Sequence, residues 1–299
     1  MEPNAELSRT SLTLGLTIGE LDMTTRQQVA GASQRAMFGR PEWDYVVLAF
    51  GVSWLGALCL ALPWLLRGQA VPKFTGLMMF PVMLLGPSLA GTFMTWRTGG
   101  KPGLAELFRS MRRTRFARVW WATLLIPPVL VLIVLEILRS LLGAQFAPNF
   151  FVAGLGFGIV AGLLEEIGWT GFAFPSMARH RTAFRAAIEL GLIWALWHAP
   201  VIDYLGTATP HGRWWAVYFL AFGAAMTAIR VLIAWLYVNT RSLLLAQMMH
   251  AASTGALVVL SPAGVSAGQE VCWYGCYAVV LGLIVGTMRF ALGSGLSVR

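Results

Sequence analysis

The chain has 299 residues, 57% of them hydrophobic and only 12% charged, with a mean hydropathy of +0.68, which is too apolar for a soluble globular protein of this length. That composition places it among polytopic membrane proteins. The net charge of +9 does not point to nucleic acid, because the basic residues gather in short segments between apolar runs, where the positive-inside rule accounts for them.

The segment 1–44 reads as a polar cytoplasmic tail. Met1–Arg40 mixes acids and bases without the compact apolar stretch of a secretory signal, and its Leu12, Leu14, Leu16, Ile18 alternation is too isolated to find a sheet partner. Val46–Leu66 is the first apolar run, about the 20 residues a helix needs to cross about 30 Å of hydrocarbon. Leu77–Trp96 is the second, interrupted by Pro81 and Gly86-Pro87. After it, Leu104–Arg118 carries Arg109, Arg112, Arg113, Arg115 and Arg118 beside Leu104, Leu107, Phe108 and Met111 at helical spacing, which predicts an amphipathic helix on an anionic leaflet. Further spans are expected at Val119–Leu138, Phe151–Pro175, Ala183–Tyr204, Trp214–Val238, Leu243–Leu260 and Val271–Phe290, with 293–299 as a short C-terminal tail. The expected fold is therefore an all-α transmembrane bundle of about eight spans over 45–292. With the N-terminus inside, the inner segments hold 17 of the 22 Lys and Arg residues and the outer segments four, a bias that puts both termini in the cytoplasm of an integral cell-membrane protein. Cys59, Cys272 and Cys276 are too few and too badly spaced for a disulfide framework or a thiolate metal site.

Adjacent acids, Glu165 and Glu166, interrupt the fourth span. One acid at the bilayer centre costs about 2.5 to 3.5 kcal/mol on insertion scales, so two neighbours need water or polar partners. They lie about 100° apart around a helix and so face different surroundings, which predicts different roles. His198 and His250 also fall inside apolar segments, within about two turns of the middle of their spans, and Thr254 follows His250 by one turn on the same face. Arg230 stands midway along the sixth span and needs an anion, for which Glu166, Glu165, a lipid headgroup and freed backbone carbonyls compete. His180 and His211 fall in loops and read as solvated, while Glu136 with Arg139 and Arg185 with Glu189 read as interfacial ion pairs.

Glu165-Glu166 with Gly168-Trp169 and Gly171-Phe172, then Trp194-Ala195-Leu196-Trp197-His198, then His250-Ala251-Ala252-Ser253-Thr254, resemble the three ordered motifs of the CPBP family, the CAAX prenyl endopeptidase-like intramembrane proteases. The resemblance extends over about Val46–Leu260, including Gly86-Pro87-Ser88 and the basic stretch before Val119. It implies an intramembrane endopeptidase acting on a membrane-associated, in some members prenylated, peptide or protein. Glu165 and His198 would activate water, with Glu166 beside them, and His250 and Thr254 would stabilise the oxyanion. No cofactor is implied. The sequence departs from the family pattern at Thr170, where arginine is usual, at Thr254, where asparagine is usual, and at Trp194, where phenylalanine is usual. Because the missing arginine leaves Glu166 without its local cation, Arg230 is expected to reach across and pair with it.

Other readings remain beside this one. Glu165, His198 and His250 are a carboxylate and two imidazoles, a set that can hold zinc with one position open, although no His-Glu-x-x-His helix occurs. A degenerate family member serving as an immunity or partner-binding protein is the non-catalytic alternative, supported by Thr170. A transporter using the two acids as a proton relay would favour internal repeats, and no convincing repeat is seen. Oligomeric state and substrate identity leave no mark in the sequence.

Overall fold

A computed structural model describes residues 39–297. The alternation expected near Leu12 lies outside them, as does most of the 1–44 segment; Pro41–Asp44 form the first turn of a helix. The described residues fold as helices without strands: α1 Pro41–Leu65, α2 Lys73–Met83, α3 Leu85–Ser110, α4 Ile126–Leu142, α5 Gly154–Gly168, α6 Phe174–Ala178, α7 Ala183–Trp197, α8 Trp215–Thr240, α9 Leu243–Leu260 and α10 Ala267–Leu292, with a helical turn at Val119–Ala122 and a π-helical turn, Trp169–Ala173, joining α5 to α6. Among the described residues seven segments are long and apolar enough to cross a membrane, and the chain is an all-α integral membrane bundle. The expected fifth span differs: α7 has 15 residues, about 22 Å at 1.5 Å per residue, and His198 is its C-cap rather than a mid-span residue.

Proline and glycine set the other departures. The second span is two helices, α2 and α3, meeting at Leu84 just ahead of Gly86-Pro87. Gly100, at φ 60° and ψ −155°, adopts a conformation that suits glycine and breaks α3. The expected amphipathic helix is the last part of α3 and ends at Ser110, with Arg112–Arg118 outside regular helix. Its Leu107 is buried in the bundle while Phe108 faces outward.

The bundle has an inside and an outside. In α5, α8 and α9, 61% of the apolar window is buried, against 28% in α1, the Val119–Leu142 segment and α10, whose exposed leucines, valines and tryptophans suit a lipid face. The inner helices meet through small residues. On α5, Gly154, Gly158 and Gly162 recur every four residues, and a methyl on any of them would strike Val258, Gly255 and Ala251, or Gln247 of α9. Gly191 of α7 lies equally close to Thr227 of α8, and Gly91 of α3 against Gly168. Small residues let helix backbones approach where lipid supplies no hydrophobic drive. The α5–α9 contact therefore holds the two acids and His250 at one level.

Candidate active site

Glu165 and Glu166 are fully buried near the end of α5, and each has a partner one turn on. Trp169 Nε1 donates to Glu165 Oε2 at 3.1 Å, and the Thr170 hydroxyl donates to Glu166 Oε2. Glu166 therefore keeps a local partner where the motif arginine is missing. Its other bonds come from two helices: Arg230 of α8 grips it with Nη1 to Oε2 at 2.8 Å and Nη2 to Oε1 at 2.9 Å, and His250 of α9 brings Nδ1 to Oε1 at 2.7 Å. The Arg230 pairing expected from the sequence is thus present, in the two-pronged geometry that a planar guanidinium favours. Arg230 Nη1 also reaches the Thr170 hydroxyl at 3.3 Å. Every oxygen of Glu166 is occupied.

Glu165 is held differently. Trp194 Nε1 of α7 donates to the same Oε2 at 2.7 Å, while Oε1 has no hydrogen-bond partner among the described residues and lies 3.8 Å from His250 Nε2. The Trp194 ring carries the Arg230 guanidinium 4.4 Å from its centroid and packs edge-on to His250 at 5.0 Å. The tryptophan at this motif position thus serves three neighbours, where phenylalanine has no N–H to donate.

His198 closes the opposite side. Its Nδ1 lies 2.8 Å from the Trp194 carbonyl, one of the acceptors that the end of a helix leaves free. A carbonyl only accepts, so Nδ1 carries the hydrogen and Nε2 presents a lone pair. Phe80, Trp194, Trp197 and Phe222 surround the ring at centroid distances of 4.9 to 6.2 Å. Trp197 is anchored in turn, donating to Ser53 of α1 at 2.8 Å.

Glu165, His198, His250 and Thr254 line one cavity of about 270 Å³, whose remaining wall is mainly apolar, with Phe80, Phe157, Phe222, Met226 and Leu257. It extends to the loops that supply Asn149, Gly206, Thr207 and Ser261. All the expected site residues come together, with Glu166 behind the cavity wall rather than on it. Among the described residues no three His, Cys, Asp or Glu side chains converge closely enough to hold a metal ion.

The loop after His198 overturns one expectation and adds residues the sequence did not single out. His211 is not solvated: its side chain is 0% exposed, between Asp203 Oδ1 at 3.0 Å and Glu270 Oε2 at 3.5 Å, with Tyr218 stacked on it at 3.9 Å. Burial pushes its pKa down, but the Glu270 carboxylate, which Nε2 approaches without forming a hydrogen bond, and the hydrogen-bonded Asp203 outweigh this and leave it raised. Nothing periodic links positions 203, 211 and 270, which meet only in the folded chain. His180 is exposed as expected, and Glu136–Arg139 and Arg185–Glu189 form their ion pairs at 3.3 and 2.8 Å.

Fold and site together define a polytopic helical membrane protein whose inner helices enclose two glutamates and two histidines beside an apolar cavity. Residues 147–256, which carry all three motifs, match the family described as "Type II CAAX prenyl endopeptidase Rce1-like", so the resemblance read from the motifs is borne out over this region. Over 140 residues the chain is 31% identical to a protein named CAAX prenyl protease 2 from Methanococcus maripaludis, an alignment covering 42% of this chain and 51% of that protein. The chain spans about half the length of the curated relative it matches.

Proposed function

We propose that the protein is an intramembrane endopeptidase that hydrolyses a peptide bond of a membrane-associated protein or peptide, in the manner its relative's name describes. The observation that carries this reading is the unpartnered Oε1 of buried Glu165 on a cavity that His198 also lines. A carboxylate fixed through one oxygen and bare at the other can take a proton from water, and an imidazole lone pair nearby can orient or share it. In this reading a water held by Glu165 and His198 attacks the carbonyl carbon. His250 and the Thr254 hydroxyl donate to the carbonyl oxygen as it gains charge; the C–N bond then breaks, and the amine leaves with the proton that Glu165 took from the water. Donation from His250 Nε2 while Nδ1 serves Glu166 requires both ring hydrogens, which sets two cations, Arg230 and His250, against two carboxylates. Such a site is charge-balanced without a metal, and we assign it no cofactor.

The non-catalytic alternative drew its support from Thr170. Glu166 nevertheless holds a guanidinium and the Thr170 hydroxyl, so the departure relocates a charge instead of removing it. The apolar cavity wall suits a hydrophobic side chain or a lipidated residue, and the Lys and Arg distribution favours both termini in the cytoplasm of the cell membrane. The reading is tested by incubating purified protein with membrane-anchored candidate peptides, with and without chelator. Cleavage that survives exhaustive chelation is expected. Stoichiometric zinc in active protein, with activity lost on its removal and restored on its return, would replace the metal-free reading with a zinc one.

A further inference from the structure

Leu205, Gly206 and Thr207 form part of the cavity wall, and the stretch that bears them is not helical. Loop backbone beside a cavity needs partners for its own polar groups, and here one side chain supplies them. Glu270, buried in the first turn of α10, accepts from the backbone N–H of Thr207 at 3.0 Å and of Ala208 at 2.9 Å, one on each oxygen. Gly206 is built for that approach: its φ is +93°, and a Cβ there would collide with the Glu270 carboxylate. The Thr207 hydroxyl also donates to the Pro262 carbonyl at 3.1 Å. At its far end the loop returns to the same carboxylate through His211, whose other nitrogen and backbone N–H both meet Asp203 Oδ1.

We infer that Asp203, His211 and Glu270 form a clasp that positions the Gly206–Thr207 wall of the cavity and thereby sets how tightly a substrate segment is held. The inference rests on the peptidase reading for what the wall holds, and on this geometry alone for the clasp. None of the three lines the cavity, so they are positioning residues. The groups facing His211 are Asp203 from the loop, Glu270 from α10 and Tyr218 from α8, with Tyr274 of α10 against Tyr218 at 5.1 Å. With both ring hydrogens present, His211 can serve both carboxylates. With one, either Asp203 keeps only the His211 backbone N–H or Glu270 keeps only the Thr207 and Ala208 amides. Because the folded protein raises the His211 pKa, its contribution is complete below the ordinary histidine value of about 6.5 and is lost as pH rises through the raised value.

The test is hydrogen–deuterium exchange of the whole protein in lipid nanodiscs between about pH 6 and 9, corrected for intrinsic exchange rates, on wild type, Glu270→Gln, His211→Gln and Gly206→Ala. The Thr207 and Ala208 amides of the wild type are expected to be protected at the acid end and to lose protection as pH rises. Glu270→Gln and Gly206→Ala should lower that protection by about tenfold or more, as loss of hydrogen bonds to a charged group implies, and His211→Gln should flatten its pH dependence, with exchange in α5 and α9 unchanged in each. In peptide cleavage the same variants should raise KM by a similar factor at constant kcat. Protection that is flat with pH and equal in all four proteins would overturn the clasp, and lost protection with unaltered KM would overturn its positioning role. A wild type that cleaves no peptide removes the peptidase reading, and exchange alone then decides the clasp.

Discussion

Two adjacent glutamates occupy regions that differ in one respect. Around Glu166 every acceptor is filled, by Thr170, Arg230 and His250; around Glu165 one oxygen is held by two indoles and the other is bare beside the cavity. The same side chain, one residue apart and equally buried, is a strut in one place and, in the proposed mechanism, the reagent in the other. The 100° step around α5 is what separates them: one faces α8, the other the space between α7 and α9. A buried group with all its partners is a structural commitment. A buried group fixed on one side and bare on the other is a candidate for chemistry.

This contrast can be broken from either side. The largest effect is expected on the cavity side, where His198→Ala should lower cleavage by about 100- to 10,000-fold, the usual contribution of a positioned acid–base group, while thermal unfolding stays near wild type. Loss of cleavage accompanied by loss of fold would make His198 a strut as well. On the filled side, Arg230→Ala or Glu166→Ala strands the opposite charge in the interior and should cost roughly 3 to 5 kcal/mol of stability. The double variant should be little worse than either, because partners in one pair are not additive. Strictly additive losses in a denaturation series would contradict the pairing. A sharper form restores the family pattern: Thr170→Arg with Arg230→Ala should regain much of the stability that Arg230→Ala loses, since the cation returns one turn from Glu166. Smallest among these is Thr254→Val, which removes one oxyanion donor and should slow turnover by about 100- to 1,000-fold, with Thr254→Asn remaining active.

What the sequence disclosed follows from what is periodic or costly in it. Apolar runs of about 20 residues mark spans because a bilayer demands that length, and seven of the eight expected are such helices. Glu165, Glu166, His198, His250 and Arg230 stood out because charge and imidazole are expensive in apolar segments, and Arg230 led to Glu166 through that cost together with the motif arginine missing at Thr170. The short α7 was not legible, since Ala199, Val201, Ile202 and Leu205 continue the apolar run past the point where the chain leaves the helix at Trp197. Nor was the clasp, because Asp203, His211 and Glu270 look like ordinary loop and helix-end residues until the fold closes them together. Trp194 stood out only as a departure from the family's phenylalanine; its N–H bond to Glu165 needed the third dimension.

The central claim is that Glu165 activates water, and it is tested most directly by turnover of a membrane-anchored peptide by purified wild-type and Glu165→Ala protein. Both would be held in the same nanodiscs and first matched for melting temperature. The account predicts cleavage by the wild type and none by Glu165→Ala, in which Arg230 and His250 both keep their hydrogen bonds to Glu166. Glu165→Ala turning over at the wild-type rate would contradict it.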